Sequence, residues 1–241
     1  MIEFAEIVIG SGGIAPCAAC GAPEPRVLRA SAEIVAEIES RAHGWSAGPG
    51  PNFALVGTEP FAHPDLPALV AAAVACGAQR IRLRTDAGAL AIPGNAAGVI
   101  HAGVRQVEAV LLGGDAATHD ALAGRAGLYD AALEGLSAFT SAALAQRAHV
   151  AVCATVPVCI HNLTQLPAAV SACAAAGAVS VVLHVPAALS GSSAAREWIG
   201  AGLDTGTVNG VWVSVQCVPA DTLPRSPLYA LSPTLSLGGV L

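Results

Sequence analysis

The sequence predicts an α/β fold in which a parallel sheet curls into a partial barrel of six β/α units. Three observations carry this. Strand-like and helix-like segments alternate at short intervals along the chain, and a glycine-bearing or acidic turn follows each of the early strand-like segments. At 241 residues there is also enough chain for one substantial core. Repeated β-then-α units imply parallel strands joined by right-handed crossovers, and ligands gather at the carboxyl ends of such strands.

Ile7-Val8-Ile9 reads as the first strand and runs into Gly10-Ser11-Gly12-Gly13. An amphipathic helix begins near Ser31, with Ile34, Val35 and Ile38 on one face, a Glu37/Arg41 pair at i,i+4 spacing and Gly44 as its stop. Asn52 to Val56 is the second strand. Asp65 is placed to cap the next helix, with Pro67 in its first turn and Gly77 past its end. Arg80 to Arg84 alternates strictly, as a strand with one apolar face should.

Val107 to Leu112 is the fourth strand, and Tyr129 to about Arg147 a long helix carrying Leu133, Leu136 and Phe139. His149 to Val156 is the fifth strand. Thr164 is placed to cap a helix that holds Pro167 and ends near Gly177, and Ser180 to His184 is the sixth strand. The expected organisation is one barrel over residues 1–190, with residues 191–241 as a C-terminal extension packing on it. Val211 to Val218 offers one more strand there, and the stretch from Asp221 reads as irregular.

Composition narrows the function. The formal net charge of -6 argues against a nucleic-acid surface. All eleven basic residues are arginine, which excludes lysine nucleophiles and Schiff bases. Mean hydropathy of +0.62 reflects alanine, and the least charged run, Ala168 to Leu189, is broken by Gly177, His184 and Pro186. A short helix and a buried strand explain that run better than a membrane span. With no basic region before the first apolar run, the expectation is a cytoplasmic protein without membrane association. Seven cysteines, of which only Cys17 and Cys20 are close, do not make a disulfide framework.

The segments that can carry chemistry all fall at carboxyl ends of expected strands. Cys17-Ala-Ala-Cys20 has the spacing of thiolates on an iron–sulfur cluster, of half a zinc site, or of two inert structural cysteines. Gly57-Thr58-Glu59-Pro60 places backbone amides beside a carboxylate, a pairing suited to a ligand ammonium group, though an ordinary turn has the same composition. Thr85-Asp86-Ala87-Gly88 is again a turn by default. In Gly113 to Gly127, His119 and Asp120 have acid–base character but sit where helix caps sit, and capping is the safer account.

Taken in order, from about Glu6 to Pro186, these segments resemble the radical S-adenosylmethionine (SAM) superfamily. Gly57 to Leu66 looks like its Gly-Gly-Glu-Pro strand end, and Leu83 to Leu90 like its Thr-Asn-Gly segment. Asp115 to Leu136 is the closest match, and Thr155 to Pro167 is similar to its fifth β/α unit. The resemblance implies a partial TIM-like barrel and two cofactors, SAM and a [4Fe–4S] cluster. The cluster's free iron would chelate SAM, reductive cleavage would give methionine and a deoxyadenosyl radical, and that radical would take hydrogen from substrate. It assigns Cys17 and Cys20 to the metal, Glu59 to the SAM ammonium, Gly57, Thr58, Pro60 and Thr85 to the same cofactor site, and Arg125 to the SAM carboxylate.

The sequence departs from the family pattern at the first cluster cysteine, which falls on Gly13, and at Thr58 and Asp86, which replace the usual glycine and asparagine. Strand four lacks the usual serine and aspartate. Ser11, Cys159 and His161 are the candidates for a third cluster ligand. Two readings follow: a divergent radical SAM enzyme, or a catalytically degenerate relative that serves as a binding or partner subunit. A zinc or dithiol redox module is a third, which leaves the other segments unexplained. The substrate is not readable; a peptide and a small molecule both suit an open barrel mouth.

Overall fold

The structure, a computed structural model, describes residues 3–12 and 26–218. The first strand is β1 (Ala5–Val8). A small antiparallel ladder follows, β2 (Gly10–Ser11) against β3 (Val27–Leu28), which closes the chain on either side of residues 13–25. The alternation then proceeds through α1 (Ser31–His43), β4 (Asn52–Val56), α2 (Leu66–Ala75), β5 (Arg80–Thr85), α3 (Asn95–Ala102) and β6 (Gln106–Val110). Two helices, α4 (Ala116–Ala123) and α5 (Leu128–Gln146), lead to β7 (Ala151–Pro157) and α6 (Leu166–Ala175). Last come β8 (Ser180–Pro186), α7 (Ala187–Ser190), α8 (Ser193–Asn209) and β9 (Trp212–Val218).

Strands β1, β4, β5, β6, β7, β8 and β9 form one sheet in that order, and every pair is parallel. The expected α/β partial barrel is therefore observed, with seven strands where six units were counted. The seventh is the Val211–Val218 segment, which pairs along its length with β8. No described helix is long and apolar enough to cross a membrane.

Alternation along each strand divides the sheet into two faces. Ile7, Phe53, Leu55, Ile81, Leu83, Val107, Val152, Val156, Val181 and Leu183 belong to one continuous core with helix residues such as Ile34, Ile38, Leu69, Leu136, Phe139 and Val170. The other face, the inside of the partial barrel, carries Glu6, Arg82, Arg84, Glu108, Thr155 and His184. Along β5 the arginines pass from exposed Arg80 through half-buried Arg82 to Arg84, which is only 2% exposed.

Two expected caps are corrected. The Asp65 side chain does not cap α2; its carboxylate accepts the Ser31 hydroxyl at 2.5 Å and joins the starts of α1 and α2. Thr164 lies inside a 3-10 turn, Leu163–Gln165, and α6 begins without a side-chain cap. Proline at the start of both helices needs no amide partner, which lessens the demand for one.

Candidate functional site

The site grows from the turn after β4. Gly57 has a φ of +102°, and a Cβ there would come within 2.3 Å of the Gly10 carbonyl oxygen. Only glycine allows that close approach in that conformation. The turn consequently lies flat on the backbone after β1, and Thr58 donates its hydroxyl to the Gly12 carbonyl at 2.8 Å. Gly12 is the last described residue before the segment containing Cys17 and Cys20, which, with Gly13, lies outside the described residues. On the other side of that segment, the Arg29 amide donates to the Ile9 carbonyl at 3.1 Å. The leading flank of the segment therefore stands beside Gly57 and Thr58, and the trailing flank pairs with that leading flank.

Glu59 follows, with Pro60 beginning a 3-10 turn, Pro60–Ala62. The carboxylate is buried and surrounded by neutral donors. Thr85 Oγ lies 2.8 Å from each of its oxygens, the Asp86 amide donates at 2.8 Å, and the Phe61 amide at 3.2 Å. Burial first, and the neighbouring Asp86 carboxylate second, push its pKa up to about 7 against those hydrogen bonds. Near neutral pH this group sits between acid and base. A cation placed against it would favour the charged form.

Asp86 accepts the Gly88 amide at 3.0 Å, and its other oxygen faces Arg125 across 3.6 Å. The intervening Ala87 takes a left-handed φ of 64°, a conformation glycine usually supplies. Arg125 stands in the turn between α4 and α5, its side chain 64% exposed and its amide bonded to the Asp120 carbonyl. Glu59, Thr85, Asp86 and Arg125 thus form one chain of contacts along the carboxyl ends of β4 and β5.

The other polar candidates have structural partners. Asp120 accepts the Gly127 and Tyr129 amides at 2.5 and 2.9 Å and so caps α5 from within α4. His119 Nδ1 accepts the Leu112 amide at 3.2 Å, and burial pushes its pKa down to about 4. Cys159 is buried in an apolar cluster with Val110, Leu112, Leu122, Ala123 and Leu128. Ser11 is half-buried in β2, and His161 is exposed on a turn. Among the described residues, no group of three His, Cys, Asp or Glu side chains could hold a metal ion.

Inside the barrel lies a second polar cluster that the sequence reading missed. Glu108 accepts Arg84 Nε at 2.8 Å, an Arg82 guanidinium nitrogen at 3.1 Å and the Thr155 hydroxyl at 3.1 Å, while Arg84 also reaches Glu6 at 3.3 Å. Burial alone would raise the Glu108 pKa, but Arg84 and then Arg82 outweigh it and hold the carboxyl down at about 2. His184 stands beside them with its pKa pushed down to about 4 by burial, so it is neutral near pH 7, and its Nδ1 has no hydrogen-bond partner among the described residues. The available signal was the Arg80/Arg82/Arg84 period set against Gln106/Glu108 on the next strand.

No family model matches this sequence, and no curated protein matches it. Solved structures do. SuiB from Streptococcus suis bound to its precursor peptide SuiA is 12% identical, with a TM-score of 0.64 over 92% of this chain and 51% of SuiB. SuiB bound to SAM gives 0.65, again at 12% identity, over 90% and 52%. The chain therefore spans about half the length of SuiB. The radical SAM methyltransferase TsrM from Kitasatospora setae, solved with cobalamin and a [4Fe–4S] cluster, is 14% identical at a TM-score of 0.51, covering 75% of this chain and 36% of TsrM. At these identities the likeness establishes the fold alone, a parallel α/β partial barrel of the kind seen in SuiB and in the methyltransferase TsrM.

Proposed function

We propose that this chain is a divergent radical SAM protein that binds SAM at the β4 and β5 strand ends. The observation that carries the reading is Glu59, a buried carboxylate ringed by neutral donors at the carboxyl edge of the sheet. In this reading Glu59 takes the SAM ammonium, Thr85 orients the carboxylate, and Gly57, Thr58 and Pro60 shape the backbone beside it. Arg125 takes the SAM carboxylate. The thiolates of Cys17 and Cys20 bind iron. A complete [4Fe–4S] cluster would supply the electron for SAM cleavage and so for hydrogen abstraction from substrate.

The cluster's donor set is incomplete in this chain. Position 13 is glycine, and Cys159, the described cysteine nearest the rim in the order of the fold, belongs to an apolar cluster. That observation favours the second reading, a catalytically degenerate relative that serves as a binding or partner subunit. SuiB has been solved with a precursor peptide, which supports a peptide as the substrate class under either reading.

Anaerobic reconstitution followed by iron and sulfide analysis separates the two. The enzyme reading expects several irons per chain and deoxyadenosine formed from SAM with a reductant. SAM binding without iron or deoxyadenosine leaves the degenerate subunit. Equal SAM affinity in wild type and Glu59→Gln removes the shared binding site.

A further inference from the structure

Two features of the rim are unused by that reading. Asp86 brings a second carboxylate to a place where the resembling family carries a neutral asparagine, and the structure already sets a cation against it. The Arg125 guanidinium is 3.6 Å from Asp86 Oδ2, a loose pair whose arginine is largely in solvent. Only the arginine end of the pair is exposed, and at 3.6 Å it is held loosely enough to be drawn away by another anion. Asp86 itself is anchored. Its amide donates to Glu59, and its Oδ1 accepts the Gly88 amide, while burial leaves it 8% exposed.

We propose that Asp86 is a second carboxylate for the ammonium group of SAM, and that Arg125 is a resident counter-ion which the bound amino acid replaces. On binding, the ammonium takes the place of the guanidinium at Asp86, and Arg125 turns to the SAM carboxylate. The Asp86–Arg125 pair thus has the charge pattern of the α-amino-acid zwitterion in reverse, so exchange leaves no charge uncompensated. The site selects for a group with both charges; an amine without a carboxylate strands Arg125. This inference rests on Glu59 being the ammonium site.

Among the described residues the titratable and charged groups around Glu59 are few. Asp86 comes from the end of β5, with Arg125 behind it from the α4–α5 turn. His63 follows in the same loop, its Nε2 against the Arg29 carbonyl and its Nδ1 accepting the Asp65 amide. After burial, the Asp86 carboxylate is the next cause of Glu59 holding its proton up to about pH 7. Removing its charge therefore has two opposite effects on ligand binding, and their combination is diagnostic. Affinity falls where Glu59 is ionised, because one attraction is lost. The acid-side loss of affinity also moves to lower pH, because Glu59 ionises more easily.

The test is titration calorimetry of SAM into the full chain between pH 5.5 and 7.5, below the ordinary range of an α-amino group. Wild type should weaken by up to about tenfold per unit below neutral pH. Asp86→Asn, which can still accept the Gly88 amide, should bind about fivefold more weakly at pH 7.5, with its decline beginning about a unit lower. Wild type should prefer methionine over methioninol, and Arg125→Gln should lose that preference. Should Asp86→Asn match wild type in affinity and pH profile while Glu59→Gln abolishes binding, Asp86 has no such role and the SAM site stands. If wild type binds no SAM, or Glu59→Gln binds as well as wild type, both inferences are overturned.

Discussion

Glu59 and Glu108 are the same residue type, both buried in the same barrel, and their proton affinities lie on opposite sides of the ordinary carboxylate value. Glu59, at the rim, is pushed up to about 7; Glu108, inside, is held down at about 2. Hydrogen-bond number does not separate them, since each carboxylate accepts several donors. Charge does. Glu108 faces two guanidinium groups, whereas Glu59 faces a hydroxyl, two amides and another carboxylate. Neutral donors do not offset the desolvation of an anion; cations do. The interior carboxylate is therefore satisfied by the fold, and the rim carboxylate faces no positive partner among the described residues.

The sharpest way to break this contrast is to remove Glu108. Glu108→Ala leaves the Arg84 guanidinium, 2% exposed, without its main partner, and Arg82 with it. Deleting one member of a buried ion network costs about 3–5 kcal/mol. The urea midpoint should fall accordingly, and at pH 2, where the unfolded-state carboxylates are also protonated, the difference from wild type should shrink. An unchanged midpoint at pH 7 would mean that Glu6 alone compensates the arginines, and the interior would then not be the ion network described.

A pH series reads both residues at once, because their linkages have opposite sign. The Glu108 pKa is depressed, so its stabilisation is present above about pH 4.5 and is lost as pH falls toward 2. The Glu59 pKa is raised, so the folded state holds a proton that the unfolded state has released, and stability declines as pH rises from about 4.5 through 7. The decline amounts to about 3 kcal/mol at one carboxyl. Glu59→Gln should flatten the slope of stability between pH 5 and 7.5 and leave the acid limb in place. A slope identical to wild type would assign the decline to other groups.

The contrast also marks what the residues disclosed before any coordinates. The strands and their order were legible because hydrophobic segments of five to seven residues recur between turn residues, as in Asn52–Val56 before Gly57 and Ser180–Pro186 before α7. The resemblance also singled out Gly57, Glu59 and Thr85 at neighbouring strand ends, and the structure joins two of them through the bond between Thr85 and Glu59. The interior was not legible. A strictly alternating Arg80–Arg84 segment is identical in one dimension whether its polar side meets water or the inside of a barrel, and only the pairing of Arg84 with Glu108 on the next strand tells them apart. The Asp65 and Thr164 caps failed for a related reason. A capping residue is chosen by local geometry, and proline at both helix starts, with the Ser31 hydroxyl near Asp65, changed what each side chain had to satisfy.

Thr85 supplies the finest test of the comparison, because it is the neutral donor that serves Glu59 most directly. Its hydroxyl lies 2.8 Å from both carboxylate oxygens and also accepts the Ala87 amide at 2.9 Å, which helps hold Ala87 in its left-handed conformation. Thr85→Val keeps the shape and removes both bonds. A hydrogen bond to an ionised acceptor is worth about 1.5–3 kcal/mol, against about 1 for a neutral pair. Loss of stability should therefore be near 2 kcal/mol at pH 8 and about half that at pH 5, where Glu59 is protonated and only the orphaned Ala87 amide remains costly. Glu59 should also titrate higher than in wild type, visible as a carboxyl resonance moving above neutral pH. A pH-independent loss would assign Thr85 to the turn alone and leave the rim carboxylate indifferent to its neutral neighbours.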